Sequence, residues 1–242
     1  MKLNLNYLKH HFWDILFILL FSLTFSGISL ALEEGGYVGK NKTGNHFDTI
    51  VYNFLKHFDY DQFYWADKRI FVSNNDNYVD DMDIALYAGH GNKGIIEMSN
   101  SEIVRFQKAG SSTHLGYGDS DLEILAILSC KVVPAPIDDS KWWEIWIGNE
   151  NTDVFDGVHQ ILGFRTNSKH STDIDQANYF GQKVSQNRPV MASWFEAIQK
   201  YGHKSEFGSV VLYPKQSKDD QYHSFVSDPP YNHTSLYIWY QH

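Results

Sequence analysis

Ile84-Ala85-Leu86-Tyr87-Ala88-Gly89-His90-Gly91 is a short apolar run that stops on a glycine, a histidine and a second glycine. A continuous apolar run of this length suits a strand covered on both faces, as in a parallel sheet. A second such run, Leu122–Ser129, follows a turn containing Gly116 and Gly118 and ends at Cys130. A third, Ile161-Leu162-Gly163-Phe164-Arg165-Thr166, lies further on.

Helical spacing fills the intervals. Asn45–Phe58 puts Phe47, Ile50, Val51, Phe54, Leu55 and Phe58 on one face. A helix is expected over Ser101–Lys108, with Glu102 near its start and Gly110 past its end. Trp142, Trp143 and Trp146, then Phe155, Val158, Ile161 and Leu162, suit one or two more. Asp175–Val184 is a further candidate. Val190–Tyr201 is better defined, since Met191, Trp194, Phe195 and Ile198 share a face and Gly202 supplies a stop. Ser209–Tyr213 and Leu236–Tyr240 close the chain as β-rich stretches. Strands alternating with helices predict an α/β fold, a mostly parallel sheet flanked by helices on both faces.

Composition narrows the function classes. The 242 residues are 43% hydrophobic and 16% aromatic, enough to build a core. A net charge of -9 with 20 Lys and Arg spread along the chain argues against a nucleic-acid partner. One cysteine excludes an intramolecular disulfide framework and any multi-cysteine zinc or iron-sulfur site.

Residues 1–31 read as a secretory signal peptide. Lys2, Lys9 and two histidines precede the apolar run Ile15–Phe25, and Ser29-Leu30-Ala31 supplies small residues for cleavage. The expectation is a secreted or periplasmic single domain over 32–242, with no stable membrane span once the signal is cleaved. The alternative is a membrane anchor formed by residues 12–31, because a span needs about 20 residues. In an exported protein an odd cysteine points to intermolecular pairing or to a reactive free thiol.

His90 and Cys130 both sit where a predicted parallel strand ends, the edge at which such sheets place their functional loops. A thiol attacks as thiolate, so it needs a proton acceptor, and a histidine at the end of an adjacent strand supplies one. The glycines beside His90 leave the Gly91 N–H open to a substrate carbonyl, where it can share an oxyanion site with the N–H of Cys130.

Tyr87–Gly91 and Ile127–Cys130, 40 residues apart in the order His then Cys, resemble the two catalytic blocks of caspase-like cysteine peptidases. That clan includes caspases, legumain, gingipain, clostripain and separase. Phe155–Thr166 followed by Ala177–Lys200 is similar to the elements after the cysteine block in gingipain-like and CHAT domains. The chain is also similar to a family of exported bacterial domains with Gly-His-Gly, Leu-Ser-Cys and Leu-Gly-Phe blocks. The likeness covers roughly residues 47–202. It implies a caspase/hemoglobinase-like fold and peptide-bond cleavage through a thioester. It also implies His90 as general base and acid, Cys130 as nucleophile, and Gly91 with Cys130 as oxyanion donors. Two features depart from the pattern. The Gln-Ala-Cys-Arg-Gly pentapeptide of caspases is absent, with Lys131 directly after the cysteine, and no match fixes substrate specificity.

Other residues weigh less. Trp142 is a candidate wall of a peptide groove, although tryptophans at helical spacing are ordinarily core. Asp173 and Asp175 follow the Leu-Gly-Phe strand and are candidates to attract a basic substrate side chain. The 12 histidines form no H-E-x-x-H pattern, so neither a metal nor another cofactor is expected. The partner expected is a peptide or protein substrate. The competing reading is an inactive caspase-like domain that serves as a binding module.

Overall fold

The chain is described by a computed structural model covering residues 32–41, 44–59, 61–71, 78–106, 121–147, 154–155, 157–227 and 236–242. The expected signal peptide and the Gly116/Gly118 turn lie outside the described residues. In chain order the elements are β1 (Glu34–Val38), α1 (Phe47–Leu55), β2 (Asp61–Trp65), α2 (Lys68–Phe71), β3 (Ile84–Ala88), β4 (Gly91–Asn92) and β5 (Ile95–Glu97). There follow β6 (Ile103–Arg105), β7 (Ile124–Leu128), β8 (Gln160–Phe164), α3 (His170–Ser185), α4 (Val190–Tyr201), β9 (Gly208–Leu212) and β10 (Tyr237–Tyr240).

Seven strands make one sheet in the order β10-β9-β8-β7-β3-β1-β2. Neighbours from β8 to β2 are parallel, whereas β9 and β10 add antiparallel. This is the mostly parallel α/β sheet that the apolar runs predict. The order reverses direction at β1 and β3, and such a switch point opens a crevice at the carboxyl ends of the strands.

The runs become strands because every residue of β3, β7 and β8 is buried, leaving no polar face to alternate. On one face Ile84, Leu86, Ala88, Ile124, Ala126, Leu128, Leu162 and Phe164 pack with the apolar faces of α1, α3 and α4. On the other, Ala85, Tyr87, Leu125, Ile127 and Ile161 pack with Ile96, Val104, Phe106 and Trp146. Among the described residues this second face is covered differently from the first. A three-stranded antiparallel sheet, β4-β5-β6, lies there with the 3-10 turn Trp142–Ile145, and α2 touches β6.

Several elements differ from the sequence-based expectation, Ile161 and Leu162 among them, which lie in strand β8 and not in a helix. Ser101–Lys108 is no helix over its described residues: Ile103–Arg105 is strand β6, with Val104 and Phe106 buried and Ile103 and Arg105 exposed. Period-two burial, with Val104 and Phe106 inside and Ile103 and Arg105 outside, decides it. Helix α3 begins at His170 rather than at Asp175, because its first turn is polar and carries no apolar signal. Strands β1 and β2 were not expected. β1 contains Gly35 and Gly36, residues depleted in strands, but a Cβ at Gly36 would run into Val51 and Leu55 of α1. The glycine is the condition for α1 to pack directly on the sheet.

Candidate functional site

Ala88 and Leu128 are the last paired residues of β3 and β7, and the Gly89 N–H donates to the Leu128 carbonyl at 3.2 Å, extending the ladder. His90 and Cys130 are therefore each two residues beyond partners in register. The His90 ring meets Phe47 at the start of α1 and His170 at the start of α3, and the Cys130 thiol points to Ser168 just before α3. Adjacent strands run about 4.8 Å apart.

Cys130 occupies the apex of a tight reversal. The Ser129 N–H reaches back to the Ile127 carbonyl, and Lys131 holds φ 54. The chain then runs back along the end of β8, with N–H groups of Lys131 and Val133 donating to the carbonyls of Thr166 and Phe164. A left-handed conformation at a non-glycine residue costs about 1–2 kcal/mol, and this one forces the sharp turn that presents the cysteine. Cys130 is free and half-buried. Its thiol points to the Ser168 carbonyl, Sγ to O 3.8 Å.

His90 is fixed by neighbours from other elements. Asn45, in the loop between β1 and α1, places its Nδ2 2.9 Å from His90 Nε2, across the switch point. Phe47, the first residue of α1, meets the His90 ring edge-on at 5.2 Å. Phe47 also meets His170, the first residue of α3, at 4.9 Å, and the two imidazoles lie 5.9 Å apart. The starts of α1 and α3 thus both stand at this site, and helix N-termini favour negative charge, a thiolate or an oxyanion.

The glycines around His90 answer first to packing. A Cβ at Gly91 would strike Ser129 and come within 2.5 Å of the Ile95 carbonyl. Gly91 is opposite Ile96 in β5, and the Glu97 N–H donates to the His90 carbonyl at 2.9 Å. Hydrogen-bonded and non-bonded pairs alternate in an antiparallel ladder, so Gly91 falls at a non-bonded pair and its N–H points away from β5. The Cys130 N–H donates to no backbone carbonyl among the described residues.

The remaining residues singled out in the sequence are placed elsewhere. Trp142 is half-buried against the core of the opposite sheet face, packed with the cluster that holds Trp146. Asp175 is exposed on α3. Asp173 is not a surface carboxylate: it is fully buried, accepts from Ser168 Oγ at 3.3 Å, and lies 3.5 Å from His170 Nδ1. Burial pushes its pKa up to about 6, helped by the charge of Glu206 and opposed by His170 and Ser168. A carboxylate so enclosed cannot receive a substrate side chain. Among the described residues, three potential metal ligands are grouped away from this edge: Asp83, Asp121 and Glu123, with oxygens within 4.8 Å of one another.

Sequence reading missed Asn45, Phe47, Ser168 and His170. The start of α1 and the residues after a strand end were signals for them, but only the fold brings them to one place.

A mostly parallel α/β sheet thus carries an imidazole and a free thiol on adjacent strand ends, faced by two helix N-termini. The chain belongs to the family described as "Domain of unknown function (DUF6345)", whose model matches residues 36–241. No curated protein matches the chain.

Proposed function

We propose that this domain is a cysteine hydrolase, a peptidase of caspase-like type, acting in an exported protein. The observation that carries the reading is the register: His90 and Cys130 lie two residues beyond the paired Ala88 and Leu128, at one edge of the sheet. The topology supports it too, because the pair stands beside the switch point where such sheets bind ligands.

In this reading His90 takes the thiol proton and the Cys130 sulfur attacks the carbonyl carbon of the scissile peptide bond. The negative oxygen of the tetrahedral intermediate is held by the N–H groups of Gly91 and Cys130. Collapse breaks the C–N bond, the His90 proton passes to the leaving nitrogen, and a thioester remains on Cys130. Water then attacks the thioester with His90 as base, releasing the acid and restoring the thiol. The residues near the site carry the needed functions: Asn45 orients the imidazole, and the α1 and α3 N-termini favour the anionic forms.

The test is digestion of a diverse peptide mixture by the mature protein and by Cys130→Ala, with products read by mass spectrometry. The proposal expects cleavages that vanish in the variant. Identical product sets from both proteins would refute it, and a binding module retaining the fold would then be the better reading. The same experiment reports which residues flank the cut bond.

A further inference from the structure

Asp173 joins two parts of the site that are otherwise separate. Ser168 Oγ and His170 Nδ1 converge on the same oxygen, Oδ2, at 3.3 and 3.5 Å, the latter an ion-pair rather than a hydrogen-bond distance. Ser168 is also the residue whose carbonyl receives the Cys130 thiol. His170 is the imidazole that stands against Phe47 and 5.9 Å from His90. One carboxylate therefore ties the loop holding the nucleophile to the ring flanking the base. Its other oxygen, Oδ1, is buried without a hydrogen-bond partner. Leaving a buried carboxylate oxygen bare opposes folding, so fold stability alone does not account for an acid here.

We propose that Asp173 is a positioning residue of the hydrolytic site, latching the Ser168–His170 turn and with it the carbonyl that receives the Cys130 thiol, and that its ionisation sets the latch. The inference rests on the Cys130–His90 reading and deepens it. Ionised Asp173 accepts from the Ser168 hydroxyl and draws the His170 ring to the same oxygen; neutral Asp173 loses that pull, and the turn loosens. The titratable groups that act on it are His170 on α3 itself and Glu206 from the segment before β9. Glu206 is in turn fixed by the backbone N–H groups of Lys169 and His203, the Thr172 hydroxyl and the Gln176 amide. From α1 the neighbour of His170 is Phe47, which is uncharged, and from the end of β3 it is His90. With Asp173 raised to about 6, the change of state falls near that pH.

The experiment is the rate of iodoacetamide alkylation of Cys130, the only thiol in the chain, measured from pH 5 to 8 by mass spectrometry with melting temperature alongside. In wild type the rate steps up near pH 6. Asp173→Asn removes the step and slows alkylation at pH 7 about tenfold. Ser168→Ala, which removes the hydroxyl by which Asp173 holds that turn, weakens the step and slows alkylation at pH 7 in the same direction. It stands in for Asp173→Asn should that variant not fold. A step unchanged in Asp173→Asn or in Ser168→Ala, in a protein whose alkylation does depend on His90, overturns the latch and leaves the dyad standing. A wild-type rate that rises only toward the ordinary thiol range, about 8.5, and is unaffected by His90→Ala, overturns the dyad itself.

Discussion

At the carboxyl ends of β3 and β7 the chain places an imidazole and a thiol, whereas just before the amino ends of the same strands it places Asp83 and Glu123, with Glu34 opening the neighbouring β1. The carboxyl edge faces the starts of α1 and α3, which favour anions. At the amino edge carboxylates crowd one another, and burial with mutual repulsion raises Glu34 to about 8 and Asp83 to about 6. Both Glu34 oxygens are buried without a hydrogen-bond partner, while Asp83 accepts the Glu33 N–H at 2.6 Å. One sheet thus separates an edge that faces two helix N-termini from an edge whose crowded carboxylates carry their charge at a cost to stability.

The largest expected effect breaks the carboxyl edge. Cys130→Ala or His90→Ala should reduce peptide hydrolysis by about 10³-fold or more while leaving the melting temperature within a few degrees, as measured by kinetics and thermal unfolding. A fall in stability matching the fall in activity would make the pair structural.

At the amino edge the expected changes are in stability and depend on pH. A carboxyl group whose folded pKa is raised stabilises most fully below its unfolded value and loses that contribution as pH rises through the folded value. For Glu34 the loss runs from about 4.5 to about 8. Glu34→Gln should therefore stabilise the protein at pH 8.5 by up to about 4 kcal/mol relative to its effect at pH 4, as read from urea unfolding at both. Asp83→Asn should do the same over the narrower window from 3.8 to about 6, with a gain of about 1–2 kcal/mol. Equal effects at acid and alkaline pH would mean that neither carboxylate carries the charge assigned to it.

Between the edges, Gly36→Ala pushes a methyl group into Val51 and Leu55 and should cost about 1–3 kcal/mol at every pH. Its pH independence sharpens the contrast with Glu34, two residues away on the same strand. The smallest effect belongs to Lys93→Ala, which removes a half-exposed ion pair with Asp139 at 3.0 Å. It should change stability by less than about 1 kcal/mol, an amount that disappears in high salt.

What the sequence disclosed follows from the physics of each element. β3, β7 and β8 were legible because strands buried on both faces leave continuous apolar runs, and α1 and α4 because their apolar residues recur at helical spacing. β1 was hidden by Gly35 and Gly36, whose reason for being there is a helix that touches them only in the folded state. β2 was hidden because an edge strand with Asp61 and Gln62 at its start looks like a polar connection, and β6 because Ile103-Val104-Arg105 is too short to fix a period. His90 and Cys130 were visible since the chemistry sits where the runs stop. Asn45, Phe47, Ser168 and His170 were not, because they come from two other loops and two helix starts. Asp173 looks available to a basic substrate side chain because local sequence carries no sign of the Ser168, His170 and Glu206 neighbours that enclose it.

The central claim is that Cys130 reacts as one half of a pair with His90. Its most direct test is the iodoacetamide alkylation rate of Cys130 at pH 6 in wild type and in His90→Ala. The account predicts ready alkylation in wild type and a rate at least about tenfold lower in the variant. Equal rates in the two proteins would contradict it.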